Sequence, residues 1–351
     1  MQSKRINKLR QYLDNIKADA VIINNPENVY YLSGFTGYGD GSLLISCDEA
    51  YLFTDSRYEI QASCEAPLFE VKMMRVPSGE EFIQFVKSKK YNVIAFEDDY
   101  VSYSFWKVLN DKFSFCKIIN LGEILSDLRM IKDEHEINLI KKACEIAGDA
   151  FLEMKNLIVP GVTENDIAAE LEFRMKKRGS SKTSFDTIIA SGYRAAMPHG
   201  TASDKRILPG ESVICDFGAV YNGYCSDMTR TVFTDGKVDN KLIEIYDVVK
   251  EAHDLAIRSF KTGMTGRELD MIARDYIESF GYVREFGHSL GHGIGVEVHE
   301  APSVSRVYKK VLEKGMVFSI EPGVYLEGLG GVRIEDLVLV TDSGLEVITK
   351  G

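Results

Sequence analysis

The feature that most constrains the fold is an internal duplication in the second half of the chain. Residues 145–179 align with residues 247–281 without a gap, and each copy has the apolar spacing of a helix, a turn and a second helix. The aligned pairs include Ala150 with Ala252, Gly161 with Gly263, Thr163 with Thr265 and Gly179 with Gly281. Because only two copies occur, the pattern predicts a closed pseudo-symmetric domain and not an open solenoid.

A strand-rich segment with a glycine-containing hairpin follows each helix pair. The first hairpin, VICDFGAVYNGYCSDMTR, carries Asp216 and Asp227, and the second, VFSIEPGVYLEGLGGVRIED, carries Glu321 and Glu335. Aligning the two hairpins also aligns Gly218 with Gly323 and Gly223 with Gly328. Since residues two apart on a strand face the same way, we expect the carboxylates to line a pocket backed by apolar side chains.

Four carboxylates in one partly buried pocket need cations. They would repel one another, and one or more would have to bind a proton unless positive charge were present. Two divalent ions would balance the four negative charges, and His292, flanked by glycines between the hairpins, adds an imidazole. Oxygen ligands with one imidazole suit Mn, Co, Zn or Fe, and paired ions of this kind catalyse hydrolysis. The sequence therefore predicts a two-metal hydrolase.

The N-terminal third of the chain has a different pattern, in which helical and strand-like segments alternate. The predicted helices are 6–16 and 80–89, and the predicted strands are 18–25, 42–47, 50–55 and 91–97. This alternation is typical of a small α/β domain. A passage from apolar to charged residues and then a long amphipathic helix follow. We therefore predict an N-terminal domain of residues 1–122 and a catalytic domain of residues 133–351.

Composition limits the classes of partner. The 53 acidic and 42 basic residues give a formal charge of -11, and no long basic run occurs, so nucleic acid is not an expected partner. The N-terminus lacks a signal-peptide pattern and no run of 18 apolar residues exists, which predicts a cytoplasmic protein without a membrane segment. The six cysteines form no CxxC pair, and their irregular spacing favours reduced thiols.

The histidines fall into two groups. His199, His288, His292 and His299 lie among Gly, Pro and carboxylates, whereas His135 and His253 lie in charged amphipathic helices and are predicted to be exposed or half-buried. The glycines around His288 and His292 disfavour a helix, so this pair does not form the HExxH helix of a zincin.

A serine hydrolase is an alternative mechanism, because residues 287–291 match the G-x-S-x-G nucleophile elbow. An elbow leads directly into a helix, whereas Gly291, Gly293 and Gly295 occur here and disfavour a helix. His299 and an acid such as Glu297 would have to complete the triad. This context disfavours the alternative.

Together these motifs resemble the proline-specific metallopeptidases of pita-bread fold, which include Xaa-Pro aminopeptidase, Xaa-Pro dipeptidase (prolidase) and, more distantly, methionine aminopeptidase. The segments LRMIKDEHEI, PHG, DFGAVYNGYCSDMTRT, HSLGHGIGVEVHE, FSIEPGVY and GVRIEDLVLVT follow the family's order and spacing. VYYLSGFTG and YLFTDSRY resemble the N-terminal domain that methionine aminopeptidases lack. The resemblance implies an α+β protein: a pita-bread (creatinase/aminopeptidase-like) domain of two pseudo-symmetric ααβ units, preceded by a smaller α/β domain of creatinase type.

The resemblance also implies a set of metal ligands. Asp216 would bind one ion, and Asp227 and Glu335 would bridge both ions. His292 and Glu321 would complete the shell of the second ion, and Glu321 would in addition act as general base.

Further roles follow from the same resemblance. His199 and His299 would hold the scissile carbonyl and the tetrahedral intermediate, and His288 would lie near the proline pocket. Tyr325 and Arg333 would support the metal-binding carboxylates or the substrate.

The implied reaction is hydrolysis of the bond between an N-terminal residue and a following proline. Two divalent ions would serve it, with Mn²⁺ preferred and Co²⁺, Zn²⁺ or Fe²⁺ as alternatives. Compact motifs such as YLFTDSRYEIQA favour an aminopeptidase over a dipeptidase with the same site. A homodimer is a family expectation. Creatinase and a histone-chaperone module share the fold without the ligands, so a metal-free binding protein is the alternative of another class; the five matching ligand types argue against it.

Overall fold

The computed structural model describes residues 2–37, 39–76 and 78–350. The chain divides into two compact units, Met1–Leu128 and Arg129–Gly351. The domain limits predicted from the sequence, 1–122 and 133–351, leave the residues around this division unassigned and stay a prediction.

The first unit is built around one mixed sheet. Its strands are β1 (Ala20–Ile23), β2 (Ser42–Ser46), β3 (Ala50–Thr54), β4 (Glu70–Met73), β5 (Val93–Phe96) and β6 (Lys117–Asn120). Its helices are α1 (Gln2–Ile16), α2 (Pro26–Ser33), α3 (Glu59–Glu65), α4 (Glu80–Ser88) and α5 (Tyr103–Lys112), with a 3₁₀ turn at Ser56–Tyr58, and α6 (Ile124–Met130) follows. The strand order is β4-β3-β2-β1-β5-β6, in which β2 runs antiparallel to both neighbours and the other pairs are parallel.

The two faces of this sheet are covered by two separate cores. Val21 and Ile23 of β1 belong to one core, whereas Ile22 between them belongs to the other, with Phe53 and Phe82. A strand buried on both faces reads as a continuous apolar run, which is why AVII was recognisable in the sequence. Every predicted helix and strand of this unit is present, and the elements that were not predicted are α2, α3, α5, α6, β4, β6 and the 3₁₀ turn.

The second unit contains the duplication. Its first half consists of α7 (Glu134–Met154), α8 (Glu164–Lys177), β7 (Ile188–Ser191), β8 (Ser212–Phe217), β9 (Val220–Tyr221), β10 (Tyr224–Cys225) and β11 (Met228–Phe233). Its second half consists of α9 (Asn240–Ser259), α10 (Gly266–Ser279), β12 (Gly291–Gly293), β13 (Glu300–Val304), β14 (Val317–Ile320), β15 (Gly323–Leu326), β16 (Gly330–Arg333), β17 (Asp336–Thr341) and β18 (Gly344–Val347). Short 3₁₀ helices cover Lys155–Leu157 and Gly192–Ala196. Among the described residues no helix has both the length and the apolarity needed to cross a bilayer.

Local signals in the two halves agree. Both α8 and α10 begin with a complete capping box, from Thr163 and from Thr265. The tips of the hairpins are also alike: Gly223 has a φ of 76° and Gly328 a φ of 77°, a left-handed conformation that favours glycine. The duplication read from the sequence is therefore also a duplication of backbone conformation.

The strand pairing repeats as well, and it brings the two halves together. Strand β8 pairs with β11 around the small hairpin β9-β10, and β14 pairs with β17 around β15-β16. The sheet orders are β11-β8-β7 in the first half and β13-β12-β14-β17-β18 in the second. A bridge joins the halves where the backbone N–H of Glu335 donates to the Thr229 carbonyl at 3.1 Å. The carboxylates of both hairpins consequently meet at this seam.

Candidate metal centre

All four predicted carboxylates come together in one cavity. Asp216 lies on β8, Asp227 precedes β11, Glu321 follows β14 and Glu335 precedes β17. Their side chains line a cavity of about 480 Å³ together with His199, His288, His292, His299 and Arg333. Nine of the ten predicted site residues therefore surround one space, and the tenth, Tyr325, contacts two of them.

The His292 imidazole lies close to carboxylates of both halves. Its Nε2 atom is 3.3 Å from Glu321 Oε1 and 3.6 Å from Asp227 Oδ2. One ligand atom each from Asp227, His292 and Glu335 lies within 4.8 Å of the other two. The two halves of the unit thus contribute to the same group of potential metal ligands.

Three carboxylate oxygens at the site are buried without a hydrogen-bond partner among the described residues: Asp216 Oδ1, Asp227 Oδ1 and Glu335 Oε1. The second oxygens of Asp216 and Glu335 are satisfied, by Arg333 Nη2 at 2.5 Å and by Thr229 Oγ1 at 2.7 Å. A buried carboxylate oxygen without a partner is costly. Divalent cations are the partners that fit three such oxygens and an imidazole.

The electrostatics lead to the same conclusion. Burial, reinforced by the neighbouring carboxylates, raises the pKa of Asp227 and of Glu335 well above the usual range. Burial also raises the pKa of Glu321. The protein alone would therefore hold protons at this site, whereas bound cations would favour the ionised forms. The donor set fits a metal centre.

The imidazoles of the site are suited to be neutral ligands or donors. Burial lowers the pKa of His288, His292 and His299. With its proton on Nδ1, His292 donates to the Gly293 carbonyl at 3.1 Å, which leaves the Nε2 lone pair directed towards the carboxylates. A hydrogen bond of this kind fixes the tautomer and the ring orientation of a metal-binding histidine.

Two hydroxyl groups that sequence reasoning did not place in the site orient the carboxylates. Thr229 Oγ1 donates to Glu335 and accepts from Arg333 Nε at 3.1 Å. Ser319 Oγ donates to Glu321 Oε1 at 3.0 Å and accepts from the His292 backbone N–H at 3.1 Å. The signal for both was strand alternation, because Ser319 lies two residues before a predicted ligand and Thr229 lies two residues after one.

Arg333 and Tyr325 form a network next to the ligands. Arg333 is 3% exposed, and its Nη1 donates to Tyr325 Oη at 2.8 Å and to the Pro198 carbonyl at 3.1 Å. Tyr325 Oη also lies 3.0 Å from His288 Nε2, and burial raises the pKa of Tyr325 to about 12. Tyr325 consequently remains a neutral phenol that links the guanidinium to the imidazole.

The structure overturns one sequence interpretation and agrees with another. The prediction that His253 is exposed or half-buried is wrong: it is 4% exposed, and its Nε2 lies 3.2 Å from Asp336 Oδ2, because this face of α9 packs on the strand that follows Glu335. His135 is exposed as predicted. Ser289 lines the cavity but leads into strand β12 and not into a helix, so the nucleophile elbow is not formed.

Comparison with family models agrees with this architecture. The model of "Metallopeptidase family M24" matches residues 138–342, and the model of the "Creatinase/Prolidase N-terminal domain" matches residues 5–131. The chain belongs to metallopeptidase family M24. A creatinase-type N-terminal domain is followed in the sequence by a pita-bread catalytic domain.

Several individual proteins are similar over nearly their whole length. The chain is 43% identical over 347 residues to a Xaa-Pro dipeptidase of Pyrococcus furiosus, which covers 99% of this chain and 98% of that protein. A solved structure of a Xaa-Pro dipeptidase from Bacillus anthracis is 42% identical with a TM-score of 0.94, covering 100% of this chain and 98% of the other. The structure of an X-Pro aminopeptidase from Thermotoga maritima is 42% identical with a TM-score of 0.90, covering 99% and 97%.

Proposed function

We propose that this protein is a Xaa-Pro dipeptidase that works with two divalent metal ions. The observation that carries the proposal is the set of three buried carboxylate oxygens without partners, one each on Asp216, Asp227 and Glu335, around a cavity that also contains His292. Similarity to relatives named Xaa-Pro dipeptidases supports a dipeptide substrate. The sequence motifs had instead favoured an aminopeptidase, which acts on longer peptides. The similar aminopeptidase structure keeps Xaa-Pro aminopeptidase as the second candidate.

The ligand set is part of the proposal. Asp216, Asp227, His292, Glu321 and Glu335 would hold the ions, with Arg333 and Thr229 fixing the carboxylates that they contact. Bound divalent cations supply positive charge that stabilises negative charge developing on oxygen and lowers the pKa of water. The residues of the chain then have to orient the peptide and move its protons.

Glu321 is the group that we assign to proton transfer. Its carboxylate lines the cavity, and Ser319 holds one of its oxygens. Bound metal ions would set the pKa at which this carboxylate exchanges a proton with water. Glu321 would take a proton from the attacking water and deliver it to the proline nitrogen, which leaves as an amine.

His199 and His299 are assigned to the substrate oxygen. Both line the cavity, and the ring of His299 lies 4.2 Å from the ring of His292. A neutral imidazole donates one N–H, and such a donor is most valuable where negative charge develops in the transition state. The network of His288, Tyr325 and Arg333 would then define the wall of the cavity on which proline rests.

The test compares Leu-Pro, Leu-Pro-Gly and Leu-Ala as substrates of Mn²⁺-loaded protein, before and after treatment with EDTA and with metal added back. We expect metal-dependent hydrolysis of Leu-Pro, weak or no hydrolysis of Leu-Pro-Gly, and none of Leu-Ala. Preference for Leu-Pro-Gly would establish the aminopeptidase. Hydrolysis of Leu-Pro that survives EDTA would contradict the metal mechanism, and inactivity with all three peptides would favour the binding-protein alternative.

Three further expectations stay predictions. Mn²⁺ as the working metal rests on the oxygen-rich ligand set, which also accepts Co²⁺, Zn²⁺ or Fe²⁺. The homodimer and the cytoplasmic location rest on the family resemblance and on the composition of the chain. Metal analysis of protein purified without chelators, light scattering and cell fractionation would measure them.

A further inference from the structure

We propose that Asp186 selects substrates whose N-terminal residue has a cationic side chain, so that Lys-Pro and Arg-Pro are cleaved in preference to neutral and acidic dipeptides. This inference rests on the proposed function. It concerns a carboxylate of the cavity that is neither one of the proposed metal ligands nor part of the network that supports them.

An irregularity in strand pairing places Asp186 in the cavity. Ile188 at the start of β7 pairs with Asp216, whereas Thr183 forms a bridge with Ala219. The segment from Thr183 to Ile188 is therefore two residues longer than the segment opposite, and the chain has to bulge between these two pairs. Bulges next to active sites redirect side chains. Phe185 and Asp186 are within this bulge, and both line the cavity with Ile188.

Asp186 differs from the other carboxylates of the cavity in its exposure. It is exposed to solvent, whereas Asp216 is 8%, Asp227 5% and Glu335 1% exposed. Over the described part of the chain, no Lys, Arg or His lies within ion-pair distance of Asp186, so its charge is available to a ligand. It therefore forms a negatively charged part of the rim, while the buried carboxylates form the floor.

The other charges of the lining do not neutralise this rim. Among the lining residues that the structure describes, Arg333 is the single Arg or Lys, and it is buried and bonded to Asp216. Two divalent ions and Arg333 would act on the four carboxylates of the floor, whereas Asp186 at the rim has no basic side chain within ion-pair distance among the described residues. A cationic group that enters the cavity is attracted to it, and an anionic group is repelled.

The side chain of the N-terminal residue is the substrate group that fits this position. The α-nitrogen lies within about 2.5 Å of the scissile carbonyl carbon, because both are bonded to the same Cα. It must therefore stay with the buried groups that act on that carbonyl. The ammonium of a lysine side chain, in contrast, is carried on a long flexible stem and can reach an exposed carboxylate at the rim.

The experiment measures kcat/KM for Lys-Pro, Leu-Pro and Glu-Pro at low ionic strength with the metal-loaded full chain, its Asp186→Asn and Asp186→Lys variants, and Asp149→Asn. Asp149 is an exposed aspartate of α7 outside the cavity lining and serves as the matched control. We expect the wild type to favour Lys-Pro over Leu-Pro and Leu-Pro over Glu-Pro. An exposed ion pair changes affinity by about 1.4- to 5-fold. Because Asp186→Asn removes both the attraction for Lys-Pro and the repulsion of Glu-Pro, the ratio of the two should fall by roughly 2- to 25-fold.

Asp186→Lys should reverse the order, so that Glu-Pro is favoured over Leu-Pro and Leu-Pro over Lys-Pro. The change should appear in KM more than in kcat. Raising the salt concentration to about 0.5 M should weaken the preference of the wild type and of Asp149→Asn alike, because exposed charges are screened. A Lys-Pro to Glu-Pro ratio that is the same in wild type and Asp186→Asn would overturn the inference, including the case in which all three peptides lose rate equally. Hydrolysis of Leu-Pro by the wild type in that experiment would leave the proposed function intact, whereas inactivity with every dipeptide would remove both.

Discussion

In the first half of the catalytic unit the paired strands β8 and β11 are associated with two aspartates, and in the second half β14 and β17 are associated with two glutamates. The helix pairs, the capping boxes and the strand pairings correspond. The other functional side chains of the two halves do not correspond. The first half adds His199 to its carboxylates, whereas the second half adds His288, His292, His299, Tyr325 and Arg333.

This difference indicates which features the fold requires and which the reaction requires. Features shared by both halves form the backbone: a capped helix, a tight glycine turn and two antiparallel arms. The carboxylates of the site come from both halves, whereas Tyr325, Arg333 and three of its four histidines come from the second half alone. Contacts across the seam, such as Arg333 with Asp216 and Thr229 with Glu335, make neither half sufficient alone.

The largest expected effect comes from removing one proposed bridging ligand from each half, in Asp227→Asn and Glu335→Gln. Each variant should lose Leu-Pro turnover by more than the about 10²–10³-fold typical of losing a single transition-state donor, because metal is lost as well. Kinetics and metal analysis of the purified variants measure both effects. Asp235→Asn, an exposed aspartate, is the control. If either bridging variant kept its metal and its rate, the shared site of the two halves would be refuted.

The next effect separates the histidines of the two halves. His299→Ala and His199→Ala should each keep their metal content and lower kcat by about 10²–10³-fold, as expected for a donor to developing negative charge. His135→Ala, an exposed histidine of α7, should behave like the wild type. Unchanged kcat in His299→Ala would exclude this residue from the mechanism, and loss of metal would assign it to the ligand shell.

Two helical ion pairs, one in each half, allow the halves to be compared by the unfolding free energy that each pair contributes. In α10, Asp270 and Arg274 are buried at 2.8 Å, and Arg274 Nη2 donates to the His288 carbonyl at 2.8 Å. In α8, Glu170 and Arg174 have the same spacing, but their side chains are 34% and 26% exposed. Breaking the buried pair with Asp270→Asn should cost about 3–5 kcal/mol of unfolding free energy, because it leaves a buried guanidinium without its counter-charge.

The exposed pair provides the matched control for that experiment. Glu170→Gln should cost less than about 1 kcal/mol, since solvent screens an exposed pair. Urea unfolding of the two variants and the wild type measures both values. If the two variants lost equal unfolding free energy, the buried pair would contribute no more to stability than the surface pair.

The smallest expected effect tests the shared part of the scaffold. Thr163→Ala and Thr265→Ala each remove a helix cap with the same geometry, so each should lower the unfolding free energy by about 1 kcal/mol. Thermal or urea unfolding compares them. A large difference between the two variants would mean that the halves are not equivalent even in their backbone signals.

The sequence predicted the parts of this molecule that repeat or that depend on neighbouring residues. The two helix pairs and the glycines of both hairpins were recognisable because turns and caps have local signatures. The cavity lined by the carboxylates followed from strand alternation. The short elements β4 and β6 were not predicted, because four residues of half-exposed strand carry little periodic signal.

Contacts between distant residues were beyond the reach of sequence patterns. The burial of His253 against Asp336 depends on how α9 packs on β17, and the support of His288 by Arg274 depends on where α10 lies. The bulge that brings Asp186 to the cavity is a mismatch in strand pairing. It can be recognised only once the residues that pair across the two strands are known.

We propose that the two halves form one site that needs divalent metal for the cleavage of Xaa-Pro bonds. The most direct measurement is a titration of metal-free protein with Mn²⁺ in which bound metal and Leu-Pro turnover are recorded at each addition. We expect no turnover in the metal-free protein and a rise in turnover that ends when two equivalents of Mn²⁺ are bound. Full turnover in protein shown to contain no metal would contradict it.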